Sequence, residues 1–198
     1  TIGDIPSWLT GNLYRIGPGK FDFKKQSVNH WFDGMGLLHH FHIENGAVRY
    51  KSKFINSPAY NAAEKNQKLC FREFATDPCA TLFQRFFTRF NQQFTSNTMV
   101  NISKLDRDMI SLTETPQPII FDKDTLETIG PYSFNDEFQY NLHTAHPHKD
   151  NHDQSMINLG IRMGRKTYYE FFKVRNNQRQ LMSSLRIQKP SYQHSFAM

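Results

Sequence analysis

A chain of 198 residues is long enough for one ordinary domain with a sizeable core, and 18 Phe with 8 Tyr supply much of the apolar area in a composition only 38% hydrophobic. The net charge of +6 favours acidic partners, but no helix-turn-helix, zinc-finger or RNA-binding signature accompanies it, which sets nucleic acid aside. Two cysteines, Cys70 and Cys79, make no disulfide framework and fit a reducing compartment, and no apolar run approaches the ~18 residues that span a bilayer.

In chain order, Gly17-Pro18-Gly19-Lys20 reads as a turn, because the spacing and the Ser/Thr of a phosphate loop are missing. Positions 36–43 and 47–55 read as strands joined at Glu44-Asn45-Gly46, since Asn-Gly between two β-rich runs is a strong hairpin signal. His40 and His42 share one face of the first strand; a solvated face is expected there, with both residues part of the scaffold.

Positions 81–94 break the β pattern. Leu82, Phe83, Phe86, Phe87, Phe90 and Phe94 fall within about 140° on a helical wheel at ~100° per residue, with Arg85 and Arg89 opposite. Such a helix either packs its phenylalanines onto a core or lies on a membrane, aromatic below and basic above. Strands are then predicted over 98–103, 109–115, 118–121, 155–161, 167–174 and 180–187. Asp106-Arg107-Asp108, Lys123-Asp124 and Asn176-Asn177 separate several of them as turns. Short strands at regular spacing imply an all-β fold: a sandwich, barrel or propeller.

The densest chemistry lies in Asn141-Leu142-His143-Thr144-Ala145-His146-Pro147-His148-Lys149-Asp150, which holds three imidazoles. Neutral imidazole is the commonest metal ligand, and Pro147 pushes the residues before it toward extended geometry, giving His146 one direction. On spacing alone, metal binding and a loop of solvated histidines both stay open, since no four-ligand zinc pattern is present.

Thr144-Ala145-His146-Pro147-His148 resembles the first iron-ligand motif of the carotenoid cleavage oxygenases, a family that includes the retinoid isomerohydrolase. Further motifs follow that family's order: Gly11-Asn12-Leu13-Tyr14-Arg15, Trp31-Phe32-Asp33-Gly34, Asp77-Pro78-Cys79, Thr113-Glu114-Thr115 and Pro190-Ser191-Tyr192-Gln193-His194-Ser195-Phe196. The resemblance covers nearly the whole chain. It implies a seven-bladed β-propeller with a short amphipathic helical insertion. At roughly 40–45 residues per blade, 1–198 would supply about four blades' worth, the N-terminal part of one propeller domain.

The resemblance also implies a site. The family holds ferrous iron with four histidines on the propeller axis; His146 matches the first and His194 the second, with the other two expected beyond Met198. Glu114 matches a carboxylate that orients His194, and His148 is expected just behind the ligands. Val100 and Thr113 would line the pocket beside the iron, and His143 and His152 are left as loop residues. The implied reaction is cleavage of a carotenoid double bond by O2 into two carbonyl compounds. A retinyl-ester isomerohydrolase and a carotenoid- or retinoid-binding module without turnover are the alternatives. The resemblance favours the membrane reading of 81–94, through Phe83, Arg85, Phe86, Phe87, Arg89 and Phe90, with Cys79 placed where an acyl chain would help. The expected location is cytoplasmic or mitochondrial, peripheral to a membrane.

Overall fold

The computed structural model describes residues 3–76 and 95–198. The expected helix over 81–94, with Phe83, Arg85, Phe86, Phe87, Arg89 and Phe90, and Cys79 before it, lies outside the described residues.

Alternating apolar residues and tight turns divide the rest into short strands. The first sheet joins β1 (Gly11–Lys20), β4 (Met35–Glu44) and β5 (Ala47–Phe54), with a small ribbon of β2 (Asp22–Phe23) and β3 (Gln26–Ser27) between the first two. One helix, α1 (Pro58–Asn66), follows. The second sheet is a meander of β6 (Asn101–Leu105), β7 (Asp108–Leu112), β8 (Ile119–Phe121) and β9 (Thr128–Pro131). The third contains β10 (Leu142–His143), β11 (His148–Lys149), β12 (Met156–Arg162), β13 (Thr167–Arg175) and β14 (Gln178–Ile187), with β10 and β11 both on β12. Among the described residues the pairs are antiparallel, and no sheet closes on itself. This is the layout of a partial β-propeller.

The middle sheet is covered on both faces. Ile110 and Leu112 point into a core shared with Tyr140, Met156, Phe172 and Val174 of the third sheet region. Ile119 and Phe121 meet Leu38 and Ile55, with Tyr14 and Ile16 alongside. Each fully buried side chain of this size contributes about 1.5–3 kcal/mol relative to exposure, so the sheet-to-sheet contacts fix how far apart the inner strands stand.

The hairpin over 36–55 forms as its turn dictates: Asn45 and Gly46 both take positive φ, 51° and 74°, which matches the strand twist. The reading of Gly17-Pro18-Gly19-Lys20 as a turn is corrected. β1 continues through Lys20, pairing Gly17 with Leu37 and Pro18 with Gly36, and its register shifts between Pro18 and Lys20. β1 is an edge strand, where a proline's missing N–H is tolerated. A Cβ at Gly19 would stand 2.5 Å from Cβ of Leu37, so glycine lets the edge strand close.

Two further differences have local causes. The solvated face expected for His40 is buried: its ring stacks on Tyr14 at 4.4 Å, and its Nε2 lies 2.8 Å from Asn12 Oδ1. The strand expected over 98–103 starts later, at Asn101, because the preceding residues serve the first sheet. There Asn97 accepts from the Gly36 N–H and donates to the Gly34 carbonyl, each at 3.0 Å. The helix α1 carries signals the strand pattern obscured, with the Ser57 hydroxyl accepting from the Tyr60 N–H at 3.1 Å and proline in the first turn.

Candidate metal centre

The edge of the third sheet formed by β10 and β11 is interrupted within the histidine run. His143 pairs with Gly160 and His148 with Ile157. Between those rungs β12 offers only Asn158 and Leu159, while the other chain carries Thr144, Ala145, His146 and Pro147. The surplus bulges out of the ladder, as occurs beside active sites, and Pro147 has no N–H to return to it. His146 therefore projects from the sheet instead of pairing within it.

The segment carrying His194 makes no strand and is held by side chains. The Tyr169 hydroxyl donates to the Ser191 carbonyl at 2.5 Å and accepts from its N–H at 2.9 Å. Two residues beyond His194, the Phe196 carbonyl accepts from His148 Nε2 at 2.8 Å, and the Phe196 ring packs on Phe171. The two extended segments thus run side by side, with 146 beside 194 and 148 beside 196.

The result is a convergent pair of imidazoles. His146 Nε2 and His194 Nε2 face each other at 3.0 Å, with ring centroids 4.4 Å apart. Behind His194, Nδ1 lies 3.0 Å from Glu114 Oε1. A carboxylate only accepts, so Nδ1 carries the proton and Nε2 keeps its lone pair. The Tyr192 hydroxyl donates to the same Glu114 oxygen at 3.0 Å; burial of that hydroxyl, then the carboxylate beside it, push its pKa up to about 12, so it remains a donor. Burial, and then the neighbouring His194, lower the pKa of His146 and favour its neutral, ligating form.

This donor set fits a cation. Two nitrogens each ~2.1 Å from one ion, at right angles around it, stand about 3.0 Å apart, the spacing seen here. Two lone pairs facing at that distance repel unless a cation or a shared proton lies between them. Among the described residues, no group of three His, Cys, Asp or Glu side chains converges on one metal position.

The remaining candidates fall in distinct places. His148 meets the Phe196 backbone, not the ring of His146 or His194, and fixes the two segments to each other. Thr113 is buried, its hydroxyl 3.4 Å from Glu114 Oε2. Val100 packs on the core between the second and third sheets, its N–H on the Leu112 carbonyl. His152 is an exposed turn residue, as expected. The reading of His143 as a loop residue is corrected: it belongs to β10, is buried, and is ringed by Phe134, Tyr140 and Phe172. Burial, and then Arg179, lower its pKa to about 3. Its N–H donates to the Glu114 carbonyl at 3.0 Å, so it braces the chain beside the site. Tyr192 stands in the motif around His194 but was given no role from sequence, although it lies two residues before His194, the spacing that puts side chains of an extended segment on one side.

A family profile described as RPE65, retinal pigment epithelial membrane protein, matches residues 1–198. The human mitochondrial carotenoid-cleaving dioxygenase is 38% identical over 218 residues, covering 99% of this chain and 38% of that protein. The rat β,β-carotene 15,15'-dioxygenase is 38% identical over 181 residues, covering 87% of this chain and 32% of its own. The chain thus spans about two fifths or less of the length of these relatives. Among solved structures, a mutant Synechocystis apocarotenoid oxygenase superposes with a TM-score of 0.76 at 23% identity, over 96% of this chain and 41% of that one. A cobalt-substituted form of the same protein gives 0.75 at 24% identity, again over 96% and 41%.

Proposed function

This chain belongs to the RPE65 family of carotenoid oxygenases, and from that membership we propose that it contributes half of a ferrous iron site in an enzyme that cleaves a carotenoid double bond with O2 to give two carbonyl products. The observation that carries the proposal is the pair of Nε2 atoms at 3.0 Å with a carboxylate behind one of them. The curated relatives of similar sequence are named carotenoid-cleaving and β,β-carotene dioxygenases, which supports the substrate class.

His146 and His194 would hold the metal through Nε2. When bound, ferrous iron supplies a redox-active centre for O2. Glu114 keeps the proton on His194 Nδ1, which orients that ring and raises its basicity. Tyr192 donates to the same oxygen and restrains the carboxylate. His148 holds the two ligand segments in register through Phe196. Thr113, beside Glu114, and Val100, on the core at the next sheet, would line the pocket near the metal and keep water from it.

The basic, Phe-rich stretch 81–94 is proposed to rest on a membrane from which an apolar polyene can be drawn. No helix among the described residues is long and apolar enough to cross one. The mitochondrial name of the human relative favours that compartment.

The test uses the full-length protein containing this region. Iron content and product analysis with a carotenoid under air should show stoichiometric metal and paired carbonyl products, and His194→Ala should lose both. Metal retained by His194→Ala, or absence of cleavage by the iron-loaded protein, would remove the proposal. Liposome flotation should fall for a Phe86→Ser, Phe90→Ser double variant; equal flotation would return that stretch to the core.

A further inference from the structure

We infer that Asn101, on β6 of the second sheet, is a positioning residue that aims His146 by holding the peptide just before it. The inference rests on the metal reading above and concerns a residue that touches neither ligand ring.

The bulge at 144–147 departs from regular ladder pairing, so most of its polar groups need other partners. Thr144 is served within its own sheet: its N–H donates to the Leu159 carbonyl at 3.0 Å, its hydroxyl to Asn158 Oδ1 at 2.6 Å, and its carbonyl accepts from Asn158 Nδ2 at 3.0 Å. Ala145 is different. It is fully buried, and its carbonyl accepts from Asn101 Nδ2 at 2.9 Å, a bond that crosses from the neighbouring sheet. The amide cannot flip without losing its other bond, because Asn101 Oδ1 accepts from the Ile102 N–H at 2.8 Å.

The Ala145 carbonyl belongs to the peptide that sets the φ axis of His146, and Pro147 restricts the peptide that follows. With Ala145 pinned and Pro147 rigid, the Cα–Cβ bond of His146 has one direction. Without Asn101, a buried carbonyl would be left without a partner, and it would rotate to find one. A displacement on the order of 1 Å in a side chain that must meet a fixed nitrogen is enough to spoil a coordination site. Asn101 also ties the distance between two sheets to the position of the ligand, so packing between the second and third sheets is transmitted to His146.

The experiment uses the full-length protein with Co2+ as the probe, comparing Asn101→Asp, Asn101→Ala and the matched control Asn97→Ala. Asn97 performs the same amide bridging at the start of β4 in the first sheet, between Gly34 and Gly36. Co2+ affinity and the visible ligand-field spectrum are read beside the melting temperature of the metal-free protein. Both Asn101 variants should bind Co2+ about 10–100-fold more weakly with an altered spectrum, while folding with melting temperatures no lower than that of Asn97→Ala. Asn97→Ala should melt earlier with an unchanged spectrum. Wild-type affinity and spectrum in either Asn101 variant, an equal loss in Asn97→Ala, or failure of every Asn101 variant to fold would overturn the inference. Failure of the wild-type protein to bind Co2+ would instead remove the metal reading on which it stands.

Discussion

Two pairs of histidines stand close together among the described residues, and they differ in what their ring nitrogens face. In the first sheet, His40 Nε2 and His42 Nδ1 both point at Asn12 Oδ1, at 2.8 and 2.9 Å. An amide oxygen only accepts, so both nitrogens are donors there and present hydrogens to the space between them. At the other pair, the carboxylate of Glu114 takes the proton on the far side of His194, and the near nitrogens face each other directly. The difference lies in what stands behind the ring. The backbone makes the same distinction: His40 and His42 stand on regular rungs of β4, whereas His146 rides a bulge and His194 a segment outside any ladder.

The comparison breaks most decisively at His146 and His194, the proposed ligands. In the full-length protein, His146→Ala or His194→Ala should lower metal affinity by more than about 100-fold, while His40→Ala and His42→Ala leave it unchanged; competition with a coloured chelator reads this. Retained affinity in His146→Ala or His194→Ala would dissolve the distinction. Glu114→Gln should come next. The amide can still meet Nδ1 but no longer raises the basicity of the ring, so a loss of about 10–100-fold is expected, again by chelator competition.

A third prediction sharpens the contrast using His143, the buried imidazole close to the site. Its folded pKa, about 3, is below the ordinary 6.5. Between those values the unfolded chain binds the extra proton, so the contribution to stability is intact above pH 6.5 and is lost as pH falls toward 3. The loss is on the order of a few kcal/mol. His143→Phe, which keeps the aromatic packing, should move the acid-unfolding midpoint of the metal-free protein to lower pH, as followed by circular dichroism. An unshifted midpoint would show that another group dominates acid unfolding.

The smallest effect is expected at the scaffold pair. Asn12→Ala removes the acceptor shared by His40 and His42 and should cost about 1 kcal/mol, visible as a melting shift of a few degrees with metal affinity untouched. A change in metal affinity would mean that the first sheet reports to the site.

Much of the strand layout was legible because its turns are local. Asn45-Gly46 and Asn176-Asn177 all take positive φ, and such residues announce themselves within a few positions. Gly17-Pro18-Gly19 was misread because its glycine serves a neighbour 18 positions away, Leu37, and the local rule for Gly and Pro cannot see that. In the site, spacing exposed His146 as a candidate, but His194 and Glu114 followed from a motif resemblance and not from periodicity. His143 was misplaced because its aromatic surround comes from Phe134 and Phe172 on either side of it in sequence, joined only by the fold. Asn101 was invisible for the same reason, as its partner lies 44 positions on.

The side-by-side run of 146 with 194 and 148 with 196 has a consequence for how the chain reaches its native state. The contact closes a loop of 48 positions that encloses β12, β13 and β14. Closing so long a loop before its contents are ordered is entropically unfavourable and is repaid by few bonds. The hairpins of the third sheet, with β12 joined to β13 across 163–166 and β13 to β14 by the two-residue turn Asn176-Asn177, can form first and shorten the effective span. The histidines then meet late, once Tyr169 has captured Ser191. In refolding, tryptophan-independent probes of the sheet should therefore mature before Co2+ can be captured, and the lag between them measures the docking of a single strap of chain.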